Sequence, residues 1–131
     1  MKIHHVGIAV ESLASAVPIF EKLLGKAPES EENVADQKVR VAIFRMGESR
    51  LELLEGTSAD SPITRFISKR GQGMHHLTLT VPDLPEALEK LESDGIRLID
   101  HEPRPGAENE RIAFLHPSST AGVLIELVEE S

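Results

Sequence analysis

The chain repeats part of itself, and this repeat constrains the fold more than any other feature of the sequence. Residues 4–10 (HHVGIAV) and 75–81 (HHLTLTV) share a layout at an offset of 71 residues (75 minus 4). Residues 52–55 (ELLE) recur in the same order as residues 126–129 (ELVE), at an offset of 74 (126 minus 52). Two repeats at nearly one offset indicate an internal duplication. The sequence therefore predicts two similar modules.

The composition excludes several classes of protein. The 131 residues include no cysteine, so the chain has neither a disulfide nor a thiolate metal ligand. The net charge of −8 and the absence of Tyr and Trp argue against a nucleic-acid partner, which needs a basic surface and stacking platforms. No apolar run approaches the roughly 18 residues of a membrane span, and the first residues do not follow a signal-peptide pattern. We therefore expect a cytoplasmic protein whose partners include neither nucleic acid nor a membrane.

The first strand of each module carries two adjacent histidines, whose side chains point to opposite faces of the strand. His4 and His75 share their faces with aliphatic residues and are expected to lean toward the core. His5 and His76 share theirs with small or hydroxyl-bearing residues and are expected to look over a hollow. A lone strand histidine is usually an ordinary half-buried residue. Two at matched positions favour a functional role for His5 and His76.

The last strand of each module adds a carboxylate. Glu52 and Glu126 occupy matching places between residues that are expected to face the core. If the first and last strands pair within each module, two imidazoles and two carboxylates converge when the two hollows face each other. Such a set of nitrogen and oxygen ligands suits a divalent first-row cation. His101 and His116 have no counterpart in the repeat, and we expect them to be solvent-exposed or capping residues.

Hydrophobic periodicity predicts a strand, a helix and then two or three strands in module one. The helix ends near Leu24, and Pro18 predicts either that it starts near Ser15 or that it is kinked. Strands are expected at residues 38–46 and 50–55.

Module two repeats this order after a connector helix that Ser61 caps. Its helix is expected after Pro82 and before Gly95. The strands predicted for module two are residues 75–81, 96–99, 111–115 and 123–128. The predicted fold is a single α+β domain, divided into module one (about 1–57), the connector (about 58–72) and module two (about 73–131).

Six segments of the chain carry a resemblance to a known family: residues 5–10, 52–55, 61–63 (SPI), 73–76 (GMHH), 114–117 (FLHP) and 122–127 (GVLIEL). With these segments the chain resembles the vicinal oxygen chelate superfamily, in which tandem βαβββ modules form a curved mixed sheet around a metal cleft. Within that superfamily, the chain is similar to the methylmalonyl-CoA epimerase family over nearly its whole length. The first strand is shared with glyoxalases and is weakly specific.

The resemblance implies that His5, Glu52, His76 and Glu126 bind a divalent metal, Co²⁺ or Mn²⁺ first, with Zn²⁺, Ni²⁺ and Fe²⁺ as alternatives. It also implies metal-dependent epimerisation of (2R)- and (2S)-methylmalonyl-CoA, by removal and return of the α-proton through a metal-stabilised enolate. Glu126 and Glu52 are the candidate catalytic bases, and a water is the alternative. Some relatives carry a glutamine at the place of Glu52, and some carry a further glutamate base where this chain has Val41.

Coenzyme A and a second copy of the chain are the expected partners. The phosphates of coenzyme A need local cations, and Lys69, Arg70 and Arg104 lie near the expected rim of the cleft. For each of these residues, a solvated surface cation is the simpler interpretation. We also expect a homodimer.

Two other classes of function stay open. One is another metal enzyme of the superfamily: a glyoxalase-like isomerase, or an Fe(II) ring-cleaving dioxygenase, which normally has three protein ligands rather than four. The other is a metal-free protein that binds a small molecule. Such proteins usually line their groove with aromatic residues, whereas this chain has only four Phe and neither Trp nor Tyr. If the face assignment is right, His5→Ala and His76→Ala weaken metal binding, whereas His4→Ala and His75→Ala affect stability.

Overall fold

The computed structural model describes residues 1–130, and each half of the chain follows the order strand, helix and three strands. The elements are β1 (Ile3–Ala9), α1 (Leu13–Leu24), β2 (Ser30–Val34), β3 (Val39–Met46), β4 (Ser49–Gly56), α2 (Pro62–Arg70), β5 (Gly73–Val81), α3 (Leu84–Ser93), β6 (Arg104–Pro105), β7 (Arg111–Leu115) and β8 (Ile125–Glu129). The predicted α+β class with two βαβββ modules is therefore confirmed, and α2 occupies the place of the connector helix.

The chain divides into two compact units. The central unit is Val6–His75, and it includes α1, β2, β3, β4 and α2. The terminal unit contains Met1–His5 and the chain from His76 onward. The module boundaries near residues 57 and 73 stay a prediction.

In the central unit the strands follow the order β2-β3-β4-β1. The β2–β3 and β3–β4 pairs are antiparallel. The backbone N–H of Val10 donates to the carbonyl of Leu54 at 2.9 Å, just beyond the end of β1. One face of these strands is covered by α1, and the buried residues of this core are Val10, Leu13, Ala16, Ala42, Phe44 and Leu53.

Helix α1 begins before Ser15, where one of the two alternatives predicted from Pro18 placed its start. Ser12 caps it by accepting the N–H of Ser15 at 3.3 Å, and Leu13 is its first residue. The prediction of a start near Ser15 is therefore wrong, and Pro18 lies in the second turn of the helix. A proline there has no N–H to donate to the carbonyl four residues before it. The packing of Leu13 into the core explains why the helix nevertheless includes this turn.

In the terminal unit the order is β1-β5-β8-β7-β6, with β1 represented by its first residues. Strands β5 and β8 are parallel, whereas β8–β7 and β7–β6 are antiparallel, so the sheet is mixed as predicted. Helix α3 covers one face, and the buried residues of this core are Val81, Leu84, Leu88, Leu98, Ala113, Leu115 and Leu127.

Two strand predictions in module two are wrong. Residues 96–99 do not form a strand, because only Leu98 is buried there, and it makes a single isolated bridge with Leu115. The second strand of the module is instead β6, which lies between the segments predicted as strands at residues 96–99 and 111–115. Strand β8 begins at Ile125 rather than at Val123, whose side chain is exposed.

The cap and loop predictions are confirmed. Ser61 accepts the N–H of Ile63 at 3.2 Å and caps α2. His116 Nδ1 accepts the N–H of Ser118 at 3.0 Å, and His101 is exposed. Among residues 1–130, none of the helices combines the length and the apolar character that a membrane span requires.

Candidate metal centre

Three of the four predicted metal ligands come together in the terminal unit. His5 Nε2 lies 3.0 Å from His76 Nε2. Glu126 Oε1 lies 3.3 Å from each of these nitrogens. All three side chains are buried, with exposed fractions of 5%, 7% and 4%. The matched histidines therefore share one site with the carboxylate of module two.

The strand register explains this convergence. Strands β5 and β8 place Thr78 directly opposite Glu126. His76 precedes Thr78 by two residues and so lies on the same face of β5. The N–H of Thr80 donates to the carbonyl of Lys2 at 2.9 Å, which holds the start of β1 beside β5.

Thr78 also belongs to this cluster, although it is not one of the predicted site residues. Its side chain is fully buried, and its hydroxyl donates to Glu126 Oε1 at 2.5 Å. The Thr78 hydroxyl oxygen also lies 3.0 Å from His5 Nε2. The alternation along β5 was a usable indication, because it placed Thr78 on the face of His76. Thr78 fixes the orientation of the carboxylate.

The pKa values of His5 and Glu126 both lie below their ordinary values. Burial is the main cause that lowers the pKa of His5; Glu126 opposes it, and His76 and His4 add to it. The neutral imidazole is the form that binds a metal. Burial alone would raise the pKa of Glu126, but its hydrogen bonds with His5 and His76, together with the electrostatic interactions of the two rings, outweigh it, and the pKa lies below its ordinary value. The carboxylate is therefore ionised at neutral pH, which is the form that binds a cation.

The donor set fits a divalent first-row metal. Bonds of about 2.1 Å, at angles between about 90° and 109°, hold neighbouring ligand atoms roughly 3.0–3.4 Å apart. The separations of 3.0, 3.3 and 3.3 Å between His5, His76 and Glu126 fall in this range. Two imidazole nitrogens and one carboxylate oxygen are a ligand set that first-row divalent ions accept.

Glu52 lies in the middle of β4, in the central unit, where it stands opposite Ile43 on β3. Its side chain is only 3% exposed. Both faces of this strand are therefore covered, because Leu53 is buried as well. Burying a carboxylate is costly unless it is hydrogen-bonded or binds a cation, and such positions are often functional. Its role as the fourth metal ligand stays a prediction.

His4 and His75 do not lean into the core, and this prediction is wrong. Both are half-buried rather than buried. His4 Nδ1 lies 2.8 Å from His5 Nδ1, and His4 Nε2 lies 2.9 Å from Glu110 Oε2. His75 packs edge-on against Phe66, with ring centroids 5.0 Å apart.

The predicted coenzyme A contacts lie at the surface of the units. Lys69 and Arg70 are exposed in the last turn of α2, and the Arg70 guanidinium stands 5.6 Å from the Phe66 ring centroid. Arg104 donates to Asp100 Oδ1 at 3.4 Å and borders a groove of about 690 Å³ in the terminal unit. The groove is lined by Pro85, Glu102, Pro103, Arg104, Pro105, Asn109, Glu110 and Arg111.

Comparison with known proteins gives consistent matches over the whole chain. Residues 4–114 match the model of the Glyoxalase/Bleomycin resistance protein/Dioxygenase superfamily. The uncharacterized protein YqjC of Bacillus subtilis is 44% identical over 128 residues, which are 98% of this chain and 91% of YqjC. The mitochondrial methylmalonyl-CoA epimerase of Dictyostelium discoideum is 32% identical, over 98% of this chain and 78% of that enzyme.

A solved structure extends this likeness to the backbone. A variant of the methylmalonyl-CoA epimerase of Streptomyces coelicolor, in complex with 2-nitronate-propionyl-CoA, is 34% identical to this chain. The two align with a TM-score of 0.95, over 100% of this chain and 95% of that one.

Proposed function

The chain belongs to the methylmalonyl-CoA epimerase family of the glyoxalase/bleomycin resistance/dioxygenase superfamily, and we propose that it interconverts (2R)- and (2S)-methylmalonyl-CoA. The predicted family is thereby confirmed. The observation that carries the proposal is the buried cluster of His5, His76 and Glu126, whose spacing fits one divalent ion. The coenzyme A analogue bound to the Streptomyces enzyme supports a coenzyme A thioester as the substrate class.

Each residue of the cluster has a role in this proposal. His5, His76 and Glu126 hold a divalent metal, with Co²⁺ or Mn²⁺ as the expected ion and Zn²⁺, Ni²⁺ or Fe²⁺ as alternatives. When bound, the metal supplies Lewis-acid stabilisation of negative charge on the substrate oxygens. Thr78 holds Glu126 Oε1 toward the two imidazoles. We keep Glu52 as the fourth ligand, on the strength of its matched position in the repeat.

Glu126 is also the proposed proton carrier. The contacts that residues 1–130 make with its carboxylate all fall on Oε1. In this proposal Oε2 takes the α-proton and returns it to the other face of the carbon. The low pKa makes Glu126 a weak base. A bound divalent metal would stabilise the negative charge that develops on the substrate, so that a base of modest strength would suffice.

Lys69, Arg70 and Arg104 remain the proposed contacts for the coenzyme A phosphates. A phosphate contact that is made equally in the ground state and the transition state raises KM when it is lost and leaves kcat unchanged. We propose that these three contacts are of this kind. Lys69→Ala, Arg70→Ala and Arg104→Ala should therefore raise KM severalfold for methylmalonyl-CoA. An unchanged KM in all three would remove this assignment.

Loss of the α-proton signal tests the proposed activity directly. Racemic methylmalonyl-CoA in D₂O, followed by proton NMR, should lose that signal when the metal-loaded protein is added. Prior chelation and the His76→Ala variant should each slow the loss. If protein saturated with Co²⁺ or Mn²⁺ leaves the signal intact, the proposed epimerase activity is wrong.

A second candidate function follows from the same three ligands. Two histidines and one carboxylate also form the ligand set of non-haem Fe(II) oxygenases. An anaerobic assay separates the two functions, because epimerisation with Co²⁺ or Mn²⁺ needs no oxygen, whereas ring cleavage by an Fe(II) dioxygenase consumes it. Metal analysis after purification without a chelator tests the metal-free alternative.

The homodimer is a separate proposal, which analytical sedimentation of the protein tests.

A further inference from the structure

The second ring nitrogen of His5 is linked to His4 and Glu110, two side chains that have no role in the proposed reaction. His4 Nδ1 lies 2.8 Å from His5 Nδ1, and Glu110 Oε2 lies 2.9 Å from His4 Nε2. The side chains of His4 and Glu110 are 13% and 20% exposed, so water competes only partly for these contacts. All three residues belong to the terminal unit.

The hydrogen bonds permit one proton arrangement when His5 binds a metal. A neutral imidazole has one N–H donor and one acceptor nitrogen. If His5 Nε2 binds the metal, its proton lies on Nδ1 and is donated to His4 Nδ1. His4 then carries its own proton on Nε2 and donates it to the carboxylate of Glu110. Every contact in this row has one donor and one acceptor.

The opposite arrangement is favoured at the other end of the His5 ring. Glu126 Oε1 lies 3.3 Å from His5 Nε2, and the Thr78 oxygen lies 3.0 Å from it. Both oxygens can accept a proton carried by Nε2, and a protonated Nε2 cannot bind a metal. In that case His5 Nδ1 would accept from His4 Nδ1–H, and a neutral His4 would turn a lone pair toward the Glu110 carboxylate. Glu110 disfavours this arrangement, because an ionised carboxylate only accepts.

We propose that His4 and Glu110 are positioning residues that hold His5 in the tautomer whose Nε2 binds the metal. This inference rests on the metal site of the proposed function. Ligating histidines usually donate their second N–H to a neighbour that fixes the tautomer and the ring orientation. Here His4 is that neighbour, and Glu110 sets the tautomer of His4.

The two modules differ at this point. Glu110 directly precedes β7, and the residue that directly precedes β3 is Lys38, whose ammonium pairs with Asp60. His75, the counterpart of His4, packs against Phe66. The duplication therefore kept the histidine doublet in both modules but placed a carboxylate at this position only in module two. His75 is a matched control for His4.

Four variants test the inference. Glu110→Gln keeps the shape but supplies an amide that can donate to His4, and His4→Phe removes both hydrogen bonds. His4→Asn keeps an acceptor near the place of Nδ1, and His75→Phe is the matched control. Isothermal titration with Co²⁺ should show affinity about 10-fold lower for Glu110→Gln and up to about 100-fold lower for His4→Phe. His4→Asn should lie between His4→Phe and the wild type, and His75→Phe should change the affinity less than threefold.

The tautomer itself is the decisive readout. Nitrogen-15 shifts of the His5 ring in metal-free protein report the fraction protonated on Nδ1, and this fraction should fall in Glu110→Gln and His4→Phe. A purely structural role would lower the stability and leave the fraction unchanged. Unaltered tautomer fractions, or unaltered affinity in both variants, would overturn the inference. If the wild type bound no metal, the proposed function would fail, and the tautomer comparison would still decide the role of His4 and Glu110.

Discussion

The backbone N–H of Leu84 donates a hydrogen bond to Glu129 Oε2 at 2.9 Å, and Leu13 donates in the same way to Glu55 Oε1 at 2.7 Å. Leu13 and Leu84 are the first residues of α1 and α3. The two glutamates each end a copy of the repeated motif at residues 52–55 and 126–129. Each copy therefore supplies a buried carboxylate and, three residues later, an acceptor for the first N–H of the helix in its own half of the chain.

Each of these acceptors should stabilise the helix of its own module. The first N–H groups of a helix have no partner within the helix, and a carboxylate there also interacts favourably with the helix dipole. Glu55→Ala and Glu129→Ala should each lower the free energy of unfolding by about 1 kcal/mol, measured by urea denaturation. Glu129 also pairs with Arg111 at 3.0 Å, so its loss should be the larger. Glu130→Ala, at an exposed position, is the control; equal effects in all three variants would exclude the capping role.

Within each histidine pair, the two residues should differ in their effect on metal binding. His5→Ala and His76→Ala each remove a ligand from a three-residue cluster, so Co²⁺ affinity should fall by more than the roughly 10–100-fold typical of an outer partner. His75→Ala removes a ring that packs against Phe66 and should lower stability at unchanged metal content. The contact of His4 with His5 changes the expectation for His4→Ala from stability alone to weaker metal binding. Titration calorimetry with each variant measures these differences. Normal Co²⁺ binding by His76→Ala would contradict the proposed metal centre.

Much of the fold follows from patterns that lie within a few residues. Alternation along β1 and β5 placed His5 and His76 on one set of faces, and the repeat matched Glu126 to Glu52. The prediction of a strand at residues 96–99 was wrong because four residues are too few for alternation to distinguish a strand from an extended loop with a single buried leucine. Strand β6 was missed because its two residues include Pro105, which argues against a strand.

The parts of the site that the sequence did not predict depend on contacts between distant residues. Glu110 lies in an acidic turn with no periodic pattern, and only the fold brings it to His4. The repeat did mark Glu55 and Glu129, but a repeated glutamate alone does not distinguish a helix cap from a ligand. The burial of Glu52 was not apparent either, because covering of the second face of β4 is not encoded in the alternation of that strand.

Thr78 offers a separate test of the carboxylate orientation. Thr78→Val keeps the shape of a fully buried side chain and removes its hydrogen bond to Glu126. Metal affinity should fall about 10-fold, and the free energy of unfolding should fall by about 1–3 kcal/mol. Thr80→Val is the matched control, because the Thr80 hydroxyl accepts from the N–H of Lys2 at 2.9 Å. It should lower stability without changing the affinity, and equal affinities in both variants would show that Thr78 does not orient the ligand.

The last prediction separates the two carboxylates of the repeat. The family resemblance implies that glutamine can stand at the place of Glu52. Glutamine can bind a metal but cannot carry a proton, so Glu52→Gln should keep the metal and slow α-proton exchange at most about tenfold. Glu126→Gln should keep much of its metal and lose exchange by about 10²–10⁴, the span expected for removal of a general base. Deuterium incorporation into methylmalonyl-CoA, normalised to bound metal, measures both. If Glu52→Gln were inactive and Glu126→Gln active, Glu52 rather than Glu126 would be the proton carrier. Rapid exchange by both variants would assign the proton transfer to water or to another residue.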